Sequence, residues 1–322
     1  MRRSQLLIAA LCVLLGLVAP LIVRSDYVFQ VLFRVSLFAA LGLAWNLVGG
    51  YAGQLSLGHA AYFGVGAYGL ALFSRAGIHP WPALFLAVLL AVLFAALIGG
   101  VSFRLRGPYF TLATIAFAEV LRLGAKNLVT ITGGDVGLPV PGLFVKSFGR
   151  SLYLAAVLLT AVALGITAWV SRSRFGYYLM AIREDEDTAL SVGVNAARCK
   201  LWVLLISAAL TALGGGLYGS LFLFIVPDQV FSIDISVEMA IVAMLGGAGT
   251  ILGPLIGSLI LESAAELLKN LFHEAHLLIY GMLLVLVVLF LPEGIVGSLA
   301  HRLRRKSAIA ATAFKAPDTV PK

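Results

Sequence analysis

Residues 81–103 read WPALFLAVLLAVLFAALIGGVSF and carry no charged side chain. Because a helix needs about 20 apolar residues to cross the hydrocarbon core of a bilayer, this stretch predicts a transmembrane helix. The whole chain has a similar character: 61% of its 322 residues are hydrophobic and 12% are charged, whereas roughly 25% of the residues in a soluble domain are charged. The composition excludes a soluble globular domain and a disordered chain. It predicts an all-α, polytopic helical membrane protein.

Further apolar stretches lie on both sides of residues 81–103. They are residues 5–23, 28–48, 55–73, 109–129, 152–170, 201–224, 237–261 and 277–291. The sequence GGAG at residues 246–249 and the pair Gly253-Pro254 interrupt residues 237–261, which predicts two helices joined at a tight glycine-rich turn. Counting that stretch as two helices gives about ten transmembrane spans.

The distribution of basic residues predicts how the chain is oriented, because Lys and Arg concentrate in cytoplasmic loops. Arg2 and Arg3 precede the first span, and four basic residues lie within residues 302–306, after the last one. Both the N- and C-termini are therefore predicted to be cytoplasmic, which requires an even number of spans and favours ten over nine. No clear small-x-small cleavage site follows the first span at residues 20–25, so an uncleaved span is favoured over a signal peptide.

These spans predict one membrane domain and a tail. Residues 1–300 form the transmembrane domain, in which residues 171–200 are the longest polar segment on the cytoplasmic side. Residues 301–322 are basic and then rich in Ala and Pro, so a disordered cytoplasmic tail is predicted. The net charge of +8 comes from basic residues placed between apolar runs. This placement favours contact with membrane lipid, and we expect no binding of nucleic acid.

Several motifs of enzymes are missing from the sequence. Without any Gly-Lys dipeptide, the chain lacks the phosphate-binding pattern G-x-x-x-x-G-K-[ST], and it also lacks the G-x-S-x-G elbow of serine hydrolases. His273 and His276 are three residues apart, whereas the helical zinc motif H-E-x-x-H places its histidines four apart. We therefore predict no catalytic residue, metal or cofactor, and a transport function instead of an enzymatic one.

Few ionisable residues lie within the predicted spans. Glu119 and Arg122 are three residues apart on one helix face, where they are expected either to form a structural ion pair or to line a solute path. Arg34, Asp234 and Glu238 are placed near the outer ends of their spans, where snorkelling or helix capping is expected. Ion-coupled transporters usually carry ionisable groups at membrane depth, and the sequence offers no obvious carrier of that kind.

Glycines are dense at residues 49–69 and again at residues 214–219. Small residues allow membrane helices to pack closely, and they also permit a broken helix beside a cavity. Both interpretations, tight packing alone and a flexible gate beside a solute path, are open at this point. Gln54, Ser56 and His59 supply polar atoms to the first of these regions.

The polar segment at residues 171–200 predicts a short helix on the cytoplasmic side. Four acidic residues, 184–187, are expected to open that helix, because the helix dipole favours negative charge at an N-terminus. Gly193 is expected to end it in the left-handed conformation, and Arg198 and Lys200 are expected to anchor the next span at the inner interface. A short helix presented between spans suits docking into a groove of another protein. An ordinary solvated loop is the alternative.

Six stretches, in order along the chain, carry a resemblance to a known family. They are GYAGQLSLGH (50–59), LRGPYF (105–110), TGGDVGL (132–138), AIRE with GV (181–184 and 193–194), MLGGAGT (244–250) and LPEGI (291–295). In these motifs the chain resembles the LivM-type permeases of branched-chain amino acid ABC importers. The outer loop departs from the family pattern at Val136, Pro139 and Pro141.

The resemblance implies one half of a transmembrane pore with several protein partners. These would be a LivH-type second permease subunit, two cytoplasmic ABC ATPase subunits and a periplasmic or surface substrate-binding protein. The residues expected to couple the chain to the ATPase are Arg183, Glu184, Asp185, Glu186, Asp187, Thr188, Ala189 and Gly193. The residues expected along the translocation path are Gly53, Gln54, Ser56, Gly58, His59, Glu119, Gly246 and Gly247.

The function that the resemblance implies is import of branched-chain or related hydrophobic amino acids across the cell inner membrane by alternating access. Two alternatives stay open at this stage. One is an ion-coupled secondary transporter of a small solute, and the other is an ABC permease for urea or short amides.

Overall fold

The computed structural model describes residues 2–22, 25–103, 105, 107–144, 148–271, 281–282 and 294–295. The predicted tail at 301–322 lies outside the described residues, as does the predicted last span at 277–291 except for residues 281–282.

The described residues form thirteen α-helices and one small β-sheet. In chain order they are α1 Arg2–Ile22, α2 Asp26–Asn46, α3 His59–Arg75, α4 Pro80–Ser102, α5 Pro108–Asn127, α6 Val129–Thr132, β1 Leu138–Pro139, α7 Phe148–Arg172, α8 Arg174–Glu184, α9 Glu186–Ser191, α10 Ala196–Phe222, β2 Phe224–Ile225, α11 Pro227–Val230, α12 Ile233–Gly246 and α13 Gly253–Leu271. A π-helical turn, Leu47–Tyr51, follows α2, and a 3₁₀ turn, Gly134–Val136, precedes β1. The all-α prediction is confirmed.

Five helical segments among the described residues are long and apolar enough to cross a membrane. They are Asp26–Tyr51, Pro80–Ser102, Gly149–Arg172, Ala196–Phe222 and Pro227–Gly246. Helices α3, α5 and α13 occupy further predicted spans, but α3 has only 17 residues, and α5 and α13 each carry several charged side chains. The predicted multi-pass membrane protein is confirmed at this level.

The predicted element boundaries differ from the structure at the glycine-rich residues after α2. The span predicted at 28–48 continues as a π-helical turn as far as Tyr51. The span predicted to begin at residue 55 begins at His59, because residues 53–58 form an irregular loop. The break predicted within residues 237–261 is confirmed: α12 ends at Gly246 and α13 begins at Gly253.

Helices α3 and α10 pack backbone to backbone in the centre of the bundle. A Cβ atom added at Gly66 would lie 2.1 Å from the Ala212 carbonyl oxygen, and one added at Gly215 would lie 2.0 Å from the Phe63 carbonyl oxygen. A larger residue at either position would push the two helices apart. Small residues commonly allow membrane helices to approach this closely. The tight-packing interpretation therefore holds for these two glycines.

The bundle has two opposite ends. At the end that we call the α8 end lie α8, α9 and the turn at residues 247–252. At the end that we call the sheet end, β1 pairs antiparallel with β2 through Leu138 and Ile225. Helices α2 and α13 run antiparallel between the two ends, since Asn46 contacts Thr250 at the α8 end and Tyr27 contacts Asn270 near the sheet end.

Candidate functional site

The acidic residues 184–187 lie at the junction between α8 and α9. Asp185 has extended backbone and caps α9: its Oδ1 atom accepts hydrogen bonds from the N–H groups of Asp187 (2.9 Å) and Thr188 (3.0 Å). The backbone N–H of Thr188, followed by other hydrogen bonds, lowers the pKa of Asp185 below its usual value. The prediction that all four acids open one helix is therefore wrong, because Glu184 is the last residue of α8.

The far end of α9 is closed as the sequence predicts. Gly193 has a φ angle of +87°, and its N–H donates to the Leu190 carbonyl while Val194 N–H donates to the Ala189 carbonyl, both over 3.0 Å. This is the hydrogen-bond pattern of a left-handed helix cap. The side chain of Ala189 packs against Ile182 in a small buried apolar cluster. Helices α8 and α9 thus form a folded unit.

Lys200, in the second turn of α10, forms an ion pair with this unit. Its Nζ atom lies 2.7 Å from Glu186 Oε2, and only 1% of its side chain is exposed. The prediction that Lys200 anchors its helix at the membrane interface is wrong, because the ammonium group is drawn inward by a carboxylate on α9. A buried charge needs such a partner, since its desolvation is costly.

The outer surface of the α8–α9 unit combines apolar and acidic side chains. Tyr177, Met180, Leu190 and Val192 are exposed although they are large and apolar, and 74% of Val192 is accessible. Glu184 is exposed beside them. Exposed apolar groups rimmed by polar ones are typical of protein interaction surfaces.

Arg183 connects the α8–α9 unit to both glycine-rich turns of the bundle. Its Nη1 atom donates to the Gly50 carbonyl oxygen over 2.6 Å. A Cβ atom at Gly53 would lie 2.8 Å from Arg183 Cγ, and one at Gly249 would lie 2.7 Å from Arg183 Nη1. The guanidinium group therefore lies between the π-helical turn after α2 and the turn before α13, and the absence of side chains on these glycines makes room for it.

Asn46 holds the second of these turns in place. Its Nδ2 atom donates to the Thr250 carbonyl oxygen over 2.9 Å, and its Oδ1 atom accepts from Gly249 N–H over 2.7 Å. The turn itself needs glycine, since Gly247 has a φ angle of +126° and a Cβ at Gly246 would lie 1.7 Å from the Gly253 carbonyl oxygen. Gly246 and Gly247 thus belong to a tight, glycine-rich turn between α12 and α13.

An open cleft of about 390 Å³ lies at the α8 end beside the loop after α2. Its lining residues are Gly53, Gln54, Leu55, Gly107, Pro108, Thr111 and Leu112. The Thr111 hydroxyl donates to the Leu55 carbonyl over 2.7 Å and so joins the loop to α5. Of the predicted path residues, Gly53 and Gln54 lie at this cleft.

Three other predicted path residues are buried between helices. His59 is fully buried, and its Nε2 atom lies 2.9 Å from Ser207 Oγ. Because Ser207 donates its single hydrogen to the Ala44 carbonyl (2.6 Å), its oxygen must accept the Nε2–H of His59. Ser56 and Gly58 are buried nearby. Their role in the path stays a prediction, because in this conformation they join α3 to its neighbours.

Glu119 lies apart from those residues, in an ion-pair network between α5 and α11. Arg122 binds Glu119 (Nε to Oε2, 2.8 Å) and also Asp228. Lys126 Nζ lies 2.8 Å from Asp228 Oδ2 and 3.2 Å from Asp135. The predicted structural ion pair of Glu119 and Arg122 is confirmed, and the predicted role of Glu119 in the path stays a prediction.

One cluster of charged residues in the structure was not predicted from the sequence. Arg34 Nε lies 3.2 Å from Glu262 Oε2, and the carboxyl of Glu238 lies beside both groups. The expectations of a snorkelling Arg34 and of a capping Glu238 are therefore wrong, although Asp234 does lie in the first turn of α12, after the Ser232 cap. The predicted span ended at residue 261, which hid Glu262, whereas α13 continues to Leu271.

Comparison with known proteins identifies the family. Residues 27–288 match the family described as branched-chain amino acid transport system / permease component. The chain belongs to this family. The α8–α9 unit, both glycine-rich turns and the Arg34 cluster all lie within the matched residues.

Individual relatives agree with this assignment. The permease is 30% identical to the high-affinity branched-chain amino acid transport system permease protein LivM of Escherichia coli (strain K12), over 96% of this chain and 78% of that protein. It is 29% identical to BraD of Pseudomonas aeruginosa and 27% identical to LivH of E. coli, each over 81% of this chain and 92% of the relative. Among solved structures, the chain is similar to a chain of PsaBC from Streptococcus pneumoniae in complex with Fab. The match covers 86% of this chain and 95% of that chain, with 13% sequence identity and a TM-score of 0.48. A TM-score this low supports no conclusion about function.

Proposed function

We propose that this permease is the membrane subunit of an ATP-binding-cassette importer and moves branched-chain or related hydrophobic amino acids by alternating access. The family match and the similarity to the branched-chain amino acid permeases LivM, LivH and BraD support this substrate class. The proposed location is the inner cell membrane, with ten spans and both termini in the cytoplasm. The α8 end then faces the cytoplasm and the sheet end faces outward.

The proposed assembly contains a second permease of LivH type, two cytoplasmic ATPases and an external binding protein. Similarity to both LivM and LivH supports a pair of related permeases. The α8–α9 unit is the proposed ATPase dock, because it is a folded pair of short helices with exposed apolar side chains. Such a unit can enter a groove on a partner.

The observation that carries the proposal is the position of Arg183. It is the penultimate residue of α8, and its guanidinium group lies against Gly50 and Gly249. A displacement of α8 by a docked ATPase would therefore act directly on the two glycine-rich turns. The cleft at Gly53 and Gln54 lies next to these turns, so the same displacement would open or close it. Coupling of this kind requires two packing arrangements that the partner distinguishes.

The docking surface is tested by recovery of the ATPases with affinity-tagged permease. We expect Val192→Asp and Glu184→Lys to lower ATPase recovery about tenfold, since loss of a central interface contact commonly costs more than 1 kcal/mol. Val136→Asp is the matched control, because 77% of Val136 is exposed, compared with 74% of Val192, but it lies at the sheet end. Equal ATPase recovery for all three variants would contradict the docking assignment.

A further inference from the structure

The exposed residues of α7 form one stripe that ends in a tryptophan and an arginine. Between Ser151 and the end of α7 they follow one another at intervals of four and three, which places them on one helix face. They are Leu158, Val162, Gly165, Trp169 and Arg172. No atom lies within 4 Å of a Cβ added at Gly165, so the stripe has a gap between Val162 and Trp169.

The order of residue types along this stripe matches the layers of a bilayer. Residues 149–172 are long and apolar enough to cross a membrane, and 24 residues of helix rise about 36 Å, which exceeds the roughly 30 Å of the hydrocarbon core. Arg172, the last residue of α7, is therefore at the level of the lipid head groups. Trp169 lies one turn deeper, where tryptophan is enriched in membrane proteins. The stripe thus has the character of a lipid-facing surface.

An open cavity of about 420 Å³ lies at the end of the stripe and is lined by Ala168, Trp169, Arg172 and Ser173. In the part of the chain that the structure describes, neither the Trp169 indole nor the Arg172 guanidinium has a hydrogen bond or an ion pair. The Ser173 hydroxyl donates to the Val170 carbonyl over 3.0 Å, so it has no hydrogen left to donate. The cavity therefore combines an apolar wall with unused N–H donors, one group of which is cationic.

Positive charge gathers around this cavity without local compensation. Residues 151–183 contain no acidic side chain, and neither do residues 1–25. Helix α1 packs against α7 and ends at Ile22, three residues before α2 begins at the sheet end. Its first residues, Arg2 and Arg3, therefore begin α1 at the α8 end, where α7 also ends. Basic groups placed in this way attract anionic lipids.

We propose that the cavity at the end of α7 binds the phosphate of an anionic phospholipid. Arg172 and the Trp169 indole donate to the phosphate oxygens, and one acyl chain lies along the apolar stripe and fills the gap at Gly165. The bound head group lies directly before α8, the first helix of the proposed ATPase dock. The inference requires the membrane fold and does not depend on which solute the permease carries.

Quenching of Trp169 fluorescence by brominated phospholipids tests this site in the complete importer. The complex is placed in phosphatidylcholine nanodiscs, brominated phosphatidylglycerol or brominated phosphatidylcholine is added, and the same signal from Trp169→Phe is subtracted. We expect the wild type to prefer phosphatidylglycerol. Arg172→Gln should lower that preference about fivefold, the usual contribution of one basic residue near an anionic membrane surface, and Arg172→Lys should retain most of it.

Arg198→Gln is the matched control and should keep the wild-type preference. It removes an exposed arginine in the first turn of α10, at the same end, from a position that does not line the cavity. Equal quenching by the two brominated lipids, or an equal loss in Arg172→Gln and Arg198→Gln, would overturn the proposal. Displacement of the brominated lipid by inorganic phosphate would overturn it in favour of a soluble anion. Absence of Trp169 quenching by either lipid would overturn it in favour of a protein partner that covers the stripe. The measurement needs neither ATP nor transport, so its failure is distinct from failure of the importer function.

Discussion

Arg183 and Gly50 are joined by a hydrogen bond of 2.6 Å from the guanidinium Nη1 to the carbonyl oxygen, across 133 residues of sequence. The donor is the penultimate residue of α8, and the acceptor lies in the π-helical turn after α2. Gly249, in the turn between α12 and α13, lies against the same guanidinium. One side chain therefore links the proposed ATPase dock to both glycine-rich turns, so a displacement of the dock would act on the membrane domain through Arg183.

Substitution of Arg183 should uncouple ATP hydrolysis from transport. Arg183→Lys keeps the positive charge but loses the planar donor that reaches Gly50. A hydrogen bond from a charged group contributes roughly 1.5–3 kcal/mol, so we expect about a tenfold rise in ATP consumed per leucine imported, with ATPase recovery unchanged. Arg174→Lys, at the exposed start of α8, is the control. An unaltered ratio of ATP to leucine in Arg183→Lys would count against this route of coupling.

Gly246 should tolerate no side chain. A Cβ at this position would lie 1.7 Å from the Gly253 carbonyl oxygen, so Gly246→Ala must separate α12 from α13. Overpacking a well-packed core typically costs 1–3 kcal/mol, and backbone overlap places the cost at about 3 kcal/mol or more. Thermal unfolding of the purified complex should shift downward. Gly165→Ala, where no atom lies within 4 Å of the new Cβ, should unfold like wild type.

Glu186 and Lys200 should depend on each other for stability. Glu186→Gln leaves the Lys200 ammonium buried without its carboxylate, and breaking a buried ion pair in this way costs roughly 3–5 kcal/mol. The double variant Glu186→Gln with Lys200→Met removes the stranded charge and should recover most of the lost stability. Denaturant unfolding of the two variants measures the difference. A double variant less stable than Glu186→Gln would argue against a buried charge as the cause.

The Asp185 cap should make the start of α9 sensitive to acid. The pKa of Asp185 is below its ordinary value of 3.8 in the folded chain, chiefly because of the Thr188 N–H. The capping contribution is therefore fully present above pH 3.8 and is lost as the pH falls through the lower folded value. Hydrogen exchange of the Thr188 amide should accelerate over that interval relative to its intrinsic rate. Asp185→Asn, a cap that does not titrate, should abolish this acceleration, and its persistence would contradict the capping role.

Features encoded by local sequence were predictable in advance. Apolar runs located the long helices, and the glycines at 246–249 with Pro254 located the break between α12 and α13. Gly193 was predictable as a left-handed cap because glycine adopts positive φ without strain. These signals depend on a few neighbouring residues, so no tertiary contact was needed to interpret them.

Features created by tertiary contact were not predictable. Arg34, Glu238 and Glu262 each look like an isolated charge near the end of an apolar run, and only the packing of α2, α12 and α13 brings them together. Lys200 likewise looks interfacial until α9 folds back and places Glu186 beside it. Pairing across more than 200 residues, as between Arg34 and Glu262, leaves no local pattern in a single sequence.

The most direct test of the central claim is uptake of radiolabelled L-leucine by proteoliposomes of defined composition. With both permeases, the ATPases and the loaded binding protein present, we predict accumulation that requires ATP and is lost when any one of these components is omitted. Accumulation by this permease alone, driven by a proton or sodium gradient in the absence of ATP, would contradict the account.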